Sequence, residues 1–353
     1  MPILEARHDL AHPVEGDTAW SESYYFNSYD PGTDSGFFSR IGIRPNEGTM
    51  DVGMSVWLPG GDLAEYRSVK EQREMVDTVL DVGSVRYEML EAGKSWRLTM
   101  DGDAPARPCA AGAAVTNGAG VGQEGQVPST RPVHLALDVR FDAVTPAIGV
   151  DGQQGVTNNA GGPKSAQSVA AAGTVGKGHL EQAGRWTGWL EVDGVRHQWE
   201  RAHGNRDSSW GPRRWGGPKM WRWFSINVGD DMHFGGIRLG TDAGDMHRGW
   251  VWDGDRAASV AEWRVRTELA DDAVTHKVVH LQVLDKEGRT YDLRGDVLRV
   301  ADTGQRRGTM VNEGLARWTY RDPGGMSPDR TGYGICEYLH QLDDSGRPVV
   351  PVE

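Results

Sequence analysis

The sequence of 353 residues contains only two cysteines, Cys109 and Cys336, and they lie far apart in the chain. Their spacing matches no metal-binding motif, and we do not expect a disulfide between them. Positive charge is also scarce, because 38 Lys and Arg face 50 Asp and Glu, for a net charge of −12. No basic cluster is longer than the pair Arg213 and Arg214, so we expect no nucleic-acid partner.

The chain has no long apolar run. Nothing approaches the ~18 apolar residues of a membrane span. Residues 1–20 carry charges and Pro13, and they lack the apolar core of about 7–15 residues that a secretory signal needs. We therefore predict a cytoplasmic protein with no membrane span, and the sequence leaves its oligomeric state open.

The common cofactor and nucleophile motifs are missing too. There is no phosphate-binding loop, no dinucleotide-binding glycine fingerprint after a strand, and no nucleophile elbow. His276 and His280 have the His-x-x-x-His spacing of metal ligands on a helix. They fall in a predicted strand, however, where such positions lie about 13 Å apart and cannot bind one ion. We expect no metal and no cofactor.

Glycine and tryptophan are abundant, with 48 and 14 residues. Residues 188–192 and 195–199 flank Asp193-Gly194, which predicts a tight hairpin. Similar short strand patterns recur about every 8–12 residues with few helical patterns between them. The sequence therefore predicts an all-β fold with few short helices, as an antiparallel barrel or sandwich.

The length favours two domains, because a single core rarely grows this large. We place them at residues 1–200 and 201–353. Residues 101–132 and 151–178 are rich in Gly, Ala, Ser, Gln and Asn, which predicts two long loops in the first domain, either ordered lids or disordered segments. Residues 62–81 fit either a helix or a strand followed by a charged loop.

The densest polar segment is residues 203–215, which follows a predicted strand and contains His203, Arg206 and Asp207 among tryptophans. An acid, a histidine and arginines in aromatic surroundings suit an acid/base site. The alternative is that Arg206 and Asp207 form a local ion pair that fixes a turn, with Trp210 as packing.

This segment also carries a resemblance. Gly204, Asp207, Trp210 and Gly211 form a Gly-x-x-Asp-x-x-Trp-Gly element that resembles the one joining the two barrels of the carotenoid 1,2-hydratase-like (hydroxyneurosporene synthase-like) double-lipocalin superfamily. Residues 25–30, 40–48 and 332–338 resemble a bacterial branch of that superfamily with no assigned activity.

The resemblance implies two lipocalin-like antiparallel β-barrels packed against each other. It also implies no redox cofactor, and apolar polycyclic or polyene substrates bound between or inside the barrels. The chain departs from the hydratases at residues 205–206 and 208–209, on either side of Asp207. Hydration of an alkene is therefore only one of the reactions it could perform.

We predict that Asp207 is the catalytic acid/base and that His203 and Glu47 are further proton-transfer candidates. Arg206 and Arg40 would stabilise developing negative charge. The alternatives are structural: Glu47 would bind turn amides, and Arg40 would pair with Asp30 or Glu47.

A second group is predicted to bind substrate, through an apolar wall of tryptophans, tyrosine hydroxyls, a strand histidine and an inward carboxyl group. Burial would raise the pKa of that carboxyl and make it a general acid, unless it pairs with an arginine. These residues are Tyr29, Trp210, Trp221, Trp223, His233, Tyr333 and Glu337.

The leading hypothesis is a cofactor-independent acid/base enzyme, as a hydratase or dehydratase, lyase, isomerase or cyclase. Its substrate would be a hydrophobic aromatic or terpenoid-like small molecule. The alternative is a lipocalin-type carrier of such a ligand. A third idea is a scaffold protein whose barrels present only their outer surfaces, which side-chain-filled barrel interiors would favour.

Overall fold

A computed structural model describes residues 1–111, 130–152, 176–214, 217–242, 244–302, 308–322 and 328–353. These residues form twenty strands and a single turn of 3-10 helix at Ala6–Asp9. The all-β prediction is therefore confirmed. No helix in these ranges is long and apolar enough to cross a membrane.

Eleven antiparallel strands make up the first sheet. They are β1 (Trp20–Asp30), β2 (Ser35–Arg44), β3 (Thr49–Trp57), β4 (Asp62–Glu71), β5 (Val79–Val82), β6 (Val85–Glu91), β7 (Ser95–Pro108), β9 (Arg131–Ala143), β10 (Ile148–Asp151), β11 (Gly178–Val192) and β12 (Val195–Pro212). Neighbouring strands run in the order β11, β12, β1, β2, β3, β4, β7, β9. Because β9 also pairs with β11, these eight strands close into a barrel.

The second sheet has nine strands. They are β8 (Ala110–Ala111), β13 (Met220–Val228), β14 (Met232–Thr241), β15 (Gly244–Trp252), β16 (Ala257–Leu269), β17 (His276–Asp285), β18 (Thr290–Asp302), β19 (Thr309–Arg321) and β20 (Arg330–Gln341). Strands β13 to β20 close into a second eight-stranded barrel through the pairing of β17 with β18. The short β8 adds to the edge of β18.

The local signals explain several of these strands. Asp193 and Gly194 both have positive φ, of 50° and 81°, as a tight turn between β11 and β12 requires. The first half of the ambiguous segment 62–81 is the strand β4, which pairs with β3 from Leu63 to Glu71. Its helical alternative is wrong, because pairing with β3, and at the start of the strand also with β7, holds these residues in an extended conformation.

Strands run through some of the predicted boundaries of loops and domains. Residues 101–108 continue β7, while 112–129 and 153–175, the middles of the two predicted loops, lie outside the described residues. Residue 200 falls inside β12, whose pairing with β1 continues to Pro212. The chain passes from the first sheet to the second between Pro212 and Met220.

Both barrels are filled by their own side chains. In the first, Phe26 packs edge-on against Trp96, Phe141 and Trp186. In the second, Phe224 packs against Trp263 and Trp318 in a separate core. A third apolar cluster lies between the barrels and includes residues from β1 and β13 that point away from both interiors.

Candidate functional site

The principal cavity lies between the barrels and has a volume of about 970 Å3. Its walls come from both sheets, mainly from β1–β4, β11 and β12 on one side and from β13–β15, β19 and β20 on the other. Because side chains alternate along a strand, the residues of these strands that point out of the barrels can face the cavity. The size suits a small organic ligand.

Strand register aligns the polar residues of the first barrel. Asp207 on β12 lies opposite Glu181 on β11 and opposite Tyr25 on β1. Tyr25 in turn lies opposite Arg40 on β2. These four residues form a row across four neighbouring strands, which we call the first row, and all four line the cavity.

A matching row crosses the second barrel. Glu313 on β19 lies opposite Glu337 on β20, and Glu337 lies opposite Trp223 on β13. Trp223 lies opposite Ile237 on β14, which lies opposite Arg248 on β15. This second row also lines the cavity along its whole length.

Hydrogen bonds join the two rows. The Tyr25 hydroxyl donates to Glu313 at 3.4 Å, and the Trp223 indole N–H donates to Glu181 at 2.8 Å. Trp250 donates to the other oxygen of Glu181 at 2.7 Å. The acidic groups of one barrel are therefore positioned partly by aromatic donors of the other.

Asp207 is placed to exchange a proton. Burial raises the pKa of its carboxyl to about 6, and the nearby charges of Glu181 and Glu337 act in the same direction. His179 and Arg213 oppose this shift. A carboxyl group with this pKa exists in both protonation states near neutral pH.

Glu313 and Glu337 form a second acidic centre. Burial raises the pKa of both carboxyls, and for Glu313 the charge of Glu337 raises it further. Glu337 also accepts a hydrogen bond from the Trp221 indole. Two hydrogen-bonded carboxyls in a buried place are most stable when they share one proton, so the pair offers both an acid and a base.

His179 completes the polar part of the cavity. It lies 2.9 Å from a carboxylate oxygen of Glu181. Burial alone would lower its pKa, but the hydrogen bond to Glu181 and the charges of Asp207 and Glu181 raise the pKa of His179 overall. This shift favours the protonated imidazole, so His179 is a second candidate for proton transfer in the cavity.

A family model described as a domain of unknown function, DUF7064, matches residues 5–342. The chain belongs to the DUF7064 family. No curated protein matches its sequence.

Several solved structures of other proteins have a fold similar to that of this DUF7064 protein. Kievitone hydratase of Nectria haematococca is similar at 13% identity and a TM-score of 0.56, over 97% of this chain and 94% of that one. NE1406 of Nitrosomonas europaea, named as a putative AttH, has 12% identity and a TM-score of 0.58, over 94% of this chain and 98% of that one. CghA bound to Sch210972 has 12% identity and a TM-score of 0.53, over 92% and 89%. These likenesses confirm the double-barrel fold, while the expected bacterial branch stays a prediction.

Six of the twelve residues predicted from the sequence line the cavity of this DUF7064 protein. Glu47 is an exposed residue at its edge, and Arg40 binds Asp51 at 3.2 Å. The other four are part of the rows or next to them. The six are Asp207, Glu47, Arg40, Trp221, Trp223 and Glu337.

Three other predicted residues meet elsewhere, at a much smaller cavity between the barrels. They are His203, Tyr29 and Tyr333, and the ring centroid of Tyr333 lies 5.2 Å from that of Tyr29 and 5.4 Å from that of His203. Burial lowers the pKa of His203 to about 4, so this imidazole is neutral at physiological pH. The Tyr29 hydroxyl donates to Asp34 at 2.7 Å.

The remaining three predicted residues make structural contacts away from the cavity. Arg206, only 1% exposed, binds Asp9 through two hydrogen bonds of 2.6 and 3.0 Å. Trp210 stacks on His12 at 3.7 Å, so both anchor the N-terminal segment to β12. His233 is buried and lies 2.7 Å from the side-chain oxygen of Asn227.

Several cavity residues were not among the sequence candidates, notably His179, Glu181, Glu313 and Tyr25. The pattern His179-x-Glu181 stands at the start of β11, which begins at Gly178, ten residues before the strand predicted at 188–192. Within the described residues, no group of three or more His, Cys, Asp or Glu side chains is arranged to hold a metal ion.

Proposed function

We propose that this protein is a cofactor-independent acid/base enzyme that acts on a hydrophobic, aromatic or terpenoid-like small molecule held between the barrels. One observation carries the proposal: Asp207 and the pair Glu313 and Glu337 line the same large cavity with raised pKa values. Burying such carboxyl groups costs free energy, and acidic groups with raised pKa values in a cavity are typical of catalytic sites.

The proposed step is proton transfer at both ends of a reacting bond. Protonated Asp207 donates its proton to a carbon or oxygen atom of the substrate. The ionised member of the Glu313 and Glu337 pair accepts a proton from the other side of that bond. If the ionised glutamate takes its proton from an attacking water molecule, water is added to the substrate. If the glutamate takes the proton from a carbon atom of the substrate, the substrate is isomerised.

Other cavity residues support this chemistry. Trp221 and Trp223 form an apolar wall that keeps bulk water from the reacting atoms. Arg213, whose guanidinium donates to Ser209 at 3.0 Å, and Arg40 supply positive charge for an intermediate that becomes negative. Between turnovers, protonated His179 returns a proton to Asp207 and takes one from solvent, and the Glu313 and Glu337 pair releases its added proton to solvent.

Two structural neighbours are consistent with this proposal. One is a hydratase named for kievitone, and the other binds Sch210972. At 12–13% identity these names supply only an analogy. The residues of this chain carry the proposal.

A carrier function is the alternative. Both barrel interiors are filled, so a carried ligand would occupy the same cavity between them. A carrier gains nothing from several buried ionisable groups, because each one destabilises the fold. The buried acidic groups therefore favour the enzyme.

The test follows turnover without a known substrate. A metabolite extract of the producing organism is incubated with the protein in oxygen-18 and deuterium-labelled water, and products are compared by mass spectrometry. We expect compounds that gain labelled water or solvent deuterium with the wild type, and a loss of about 10²–10⁴ in rate for Asp207→Asn and Glu313→Gln. The matched control is Asp271→Asn, at an exposed turn residue.

Two outcomes of the labelling experiment would contradict the proposal. If a compound co-purifies with the protein and binds in the cavity, but no metabolite is labelled or consumed, the protein is a carrier. If labelling occurs equally in wild type and Asp207→Asn, Asp207 is not the acid.

A further inference from the structure

The second row ends at a cation. Arg248 lies on β15 at one end of the row, and the pair Glu313 and Glu337 lies at the other. Trp223 and Ile237 lie between them and give the middle of the row an apolar surface. Three strand spacings separate Glu337 from Arg248, which is about 14 Å along the sheet.

Arg248 differs from the other cations of the cavity wall. For its guanidinium, the described residues provide neither a hydrogen bond nor an ion pair, and burial lowers the pKa of Arg248 with no opposing contribution from an acid. The other cationic side chains all have an acidic or hydroxyl partner: Arg40, Arg44, Arg67, Lys177, Arg213 and Arg214.

A desolvated guanidinium without a counter-charge is costly, and a bound anion removes that cost. The planar fork of arginine matches a carboxylate, which it binds through two parallel hydrogen bonds. The acidic pair at the far end would repel a carboxylate. The charges at the two ends of the row therefore fix one orientation for an elongated anionic ligand.

We propose that the ligand of this cavity is an elongated apolar carboxylic acid. Its carboxylate binds Arg248, its apolar body lies along Trp223 and Ile237, and its other end lies at Glu313 and Glu337. The identity of the reacting end rests on the proposed function, whereas binding at Arg248 does not.

The test is a binding experiment that requires no turnover. Biphenyl-4-carboxylate and biphenyl-4-carboxamide have nearly the same shape but differ in charge, and their affinities are measured by calorimetry at pH 8. We expect the carboxylate to bind wild-type protein about ten- to a hundredfold more tightly, as a charge-assisted hydrogen-bonded pair allows. Equal binding of the two probes, or binding of neither, would overturn the proposal.

Variants locate the preference. Arg248→Gln should bind both probes equally, and Arg248→Lys should keep part of the preference because it retains the charge but not the fork. Arg264→Gln is the control, since Arg264 is exposed and pairs with Glu262. A preference that persists in Arg248→Gln would assign the anion site to another cation.

The outcome is separable from that of the proposed function. Asp207→Asn should keep the preference for the carboxylate even though it loses turnover. An inactive wild type that still prefers the carboxylate through Arg248 refutes the enzyme but not the ligand class, and the opposite pattern refutes the ligand class alone.

Discussion

Replacing Asp207 with asparagine should stabilise the folded protein at neutral pH while it lowers the rate of turnover about 10²–10⁴-fold. The side chain keeps its shape, but the charge that burial opposes is removed. Burial raises the pKa of Asp207 from 3.8 to about 6 in the folded state. Folding therefore favours the protonated carboxyl, and ionisation works against the folded state.

The direction and size of the effect follow from linkage. Between pH 4 and 6 the unfolded chain has lost this proton and the folded chain retains it, so wild-type stability falls as the pH rises. The difference between the two pKa values corresponds to about 3 kcal/mol for a fully desolvated group. Because the carboxyl faces an open cavity, solvent screening reduces the expected effect to about 1–3 kcal/mol.

Urea unfolding at pH 4, 5, 6 and 7 measures the effect, with Asp271→Asn as the exposed control. We expect Asp207→Asn and wild type to be equally stable near pH 4, and the variant to be more stable by about 1–3 kcal/mol at pH 7. A variant that is less stable at pH 7, or whose advantage does not grow with pH, would refute the account of Asp207 as a destabilising buried acid.

Three further results are expected. Arg206→Met should lower the free energy of unfolding in urea by about 3–5 kcal/mol, because it leaves the buried Asp9 without its ion-pair partner. The double variant with Asp9→Leu should recover most of this loss, and an equal loss in the single and double variants would contradict the prediction. Gly178→Ala should lower stability by about 1–3 kcal/mol in thermal unfolding, since the new Cβ would lie 1.9 Å from the indole of Trp210. The turnover of wild type should fall about tenfold per pH unit above pH 6, where Asp207 loses its proton, so a flat rate profile from pH 6 to 8 would exclude it as the acid.

Much of the fold could be predicted because its signals are local. The Asp193-Gly194 turn adopts positive φ at both residues, which few other pairs tolerate, so the hairpin of β11 and β12 is visible in the sequence. The strand β4 was ambiguous because Leu63, Tyr66 and Val69 also fit a helical stripe. Its pairing with β3 is not encoded in that pattern.

The site was harder to predict than the fold. Arg206 and Asp207 are neighbours in a polar segment, and the sequence suggests one site for both. On a strand they point to opposite faces, so Asp207 reaches the cavity while Arg206 binds Asp9. Glu313 was missed because only the register of β19 and β20 brings it to Glu337.

Neighbouring residues on one strand serve different purposes, because one packs inside a barrel and the next lines the cavity between the barrels. On β1, Phe26 packs inside the first barrel while its neighbour Tyr25 lines the cavity. Changes at Tyr25, Ile237 or Met246 would reshape the pocket without leaving a void in either packed core. Natural selection for a new ligand and selection for a foldable chain therefore act on largely separate positions, which lets this architecture diversify its chemistry while it keeps its shape.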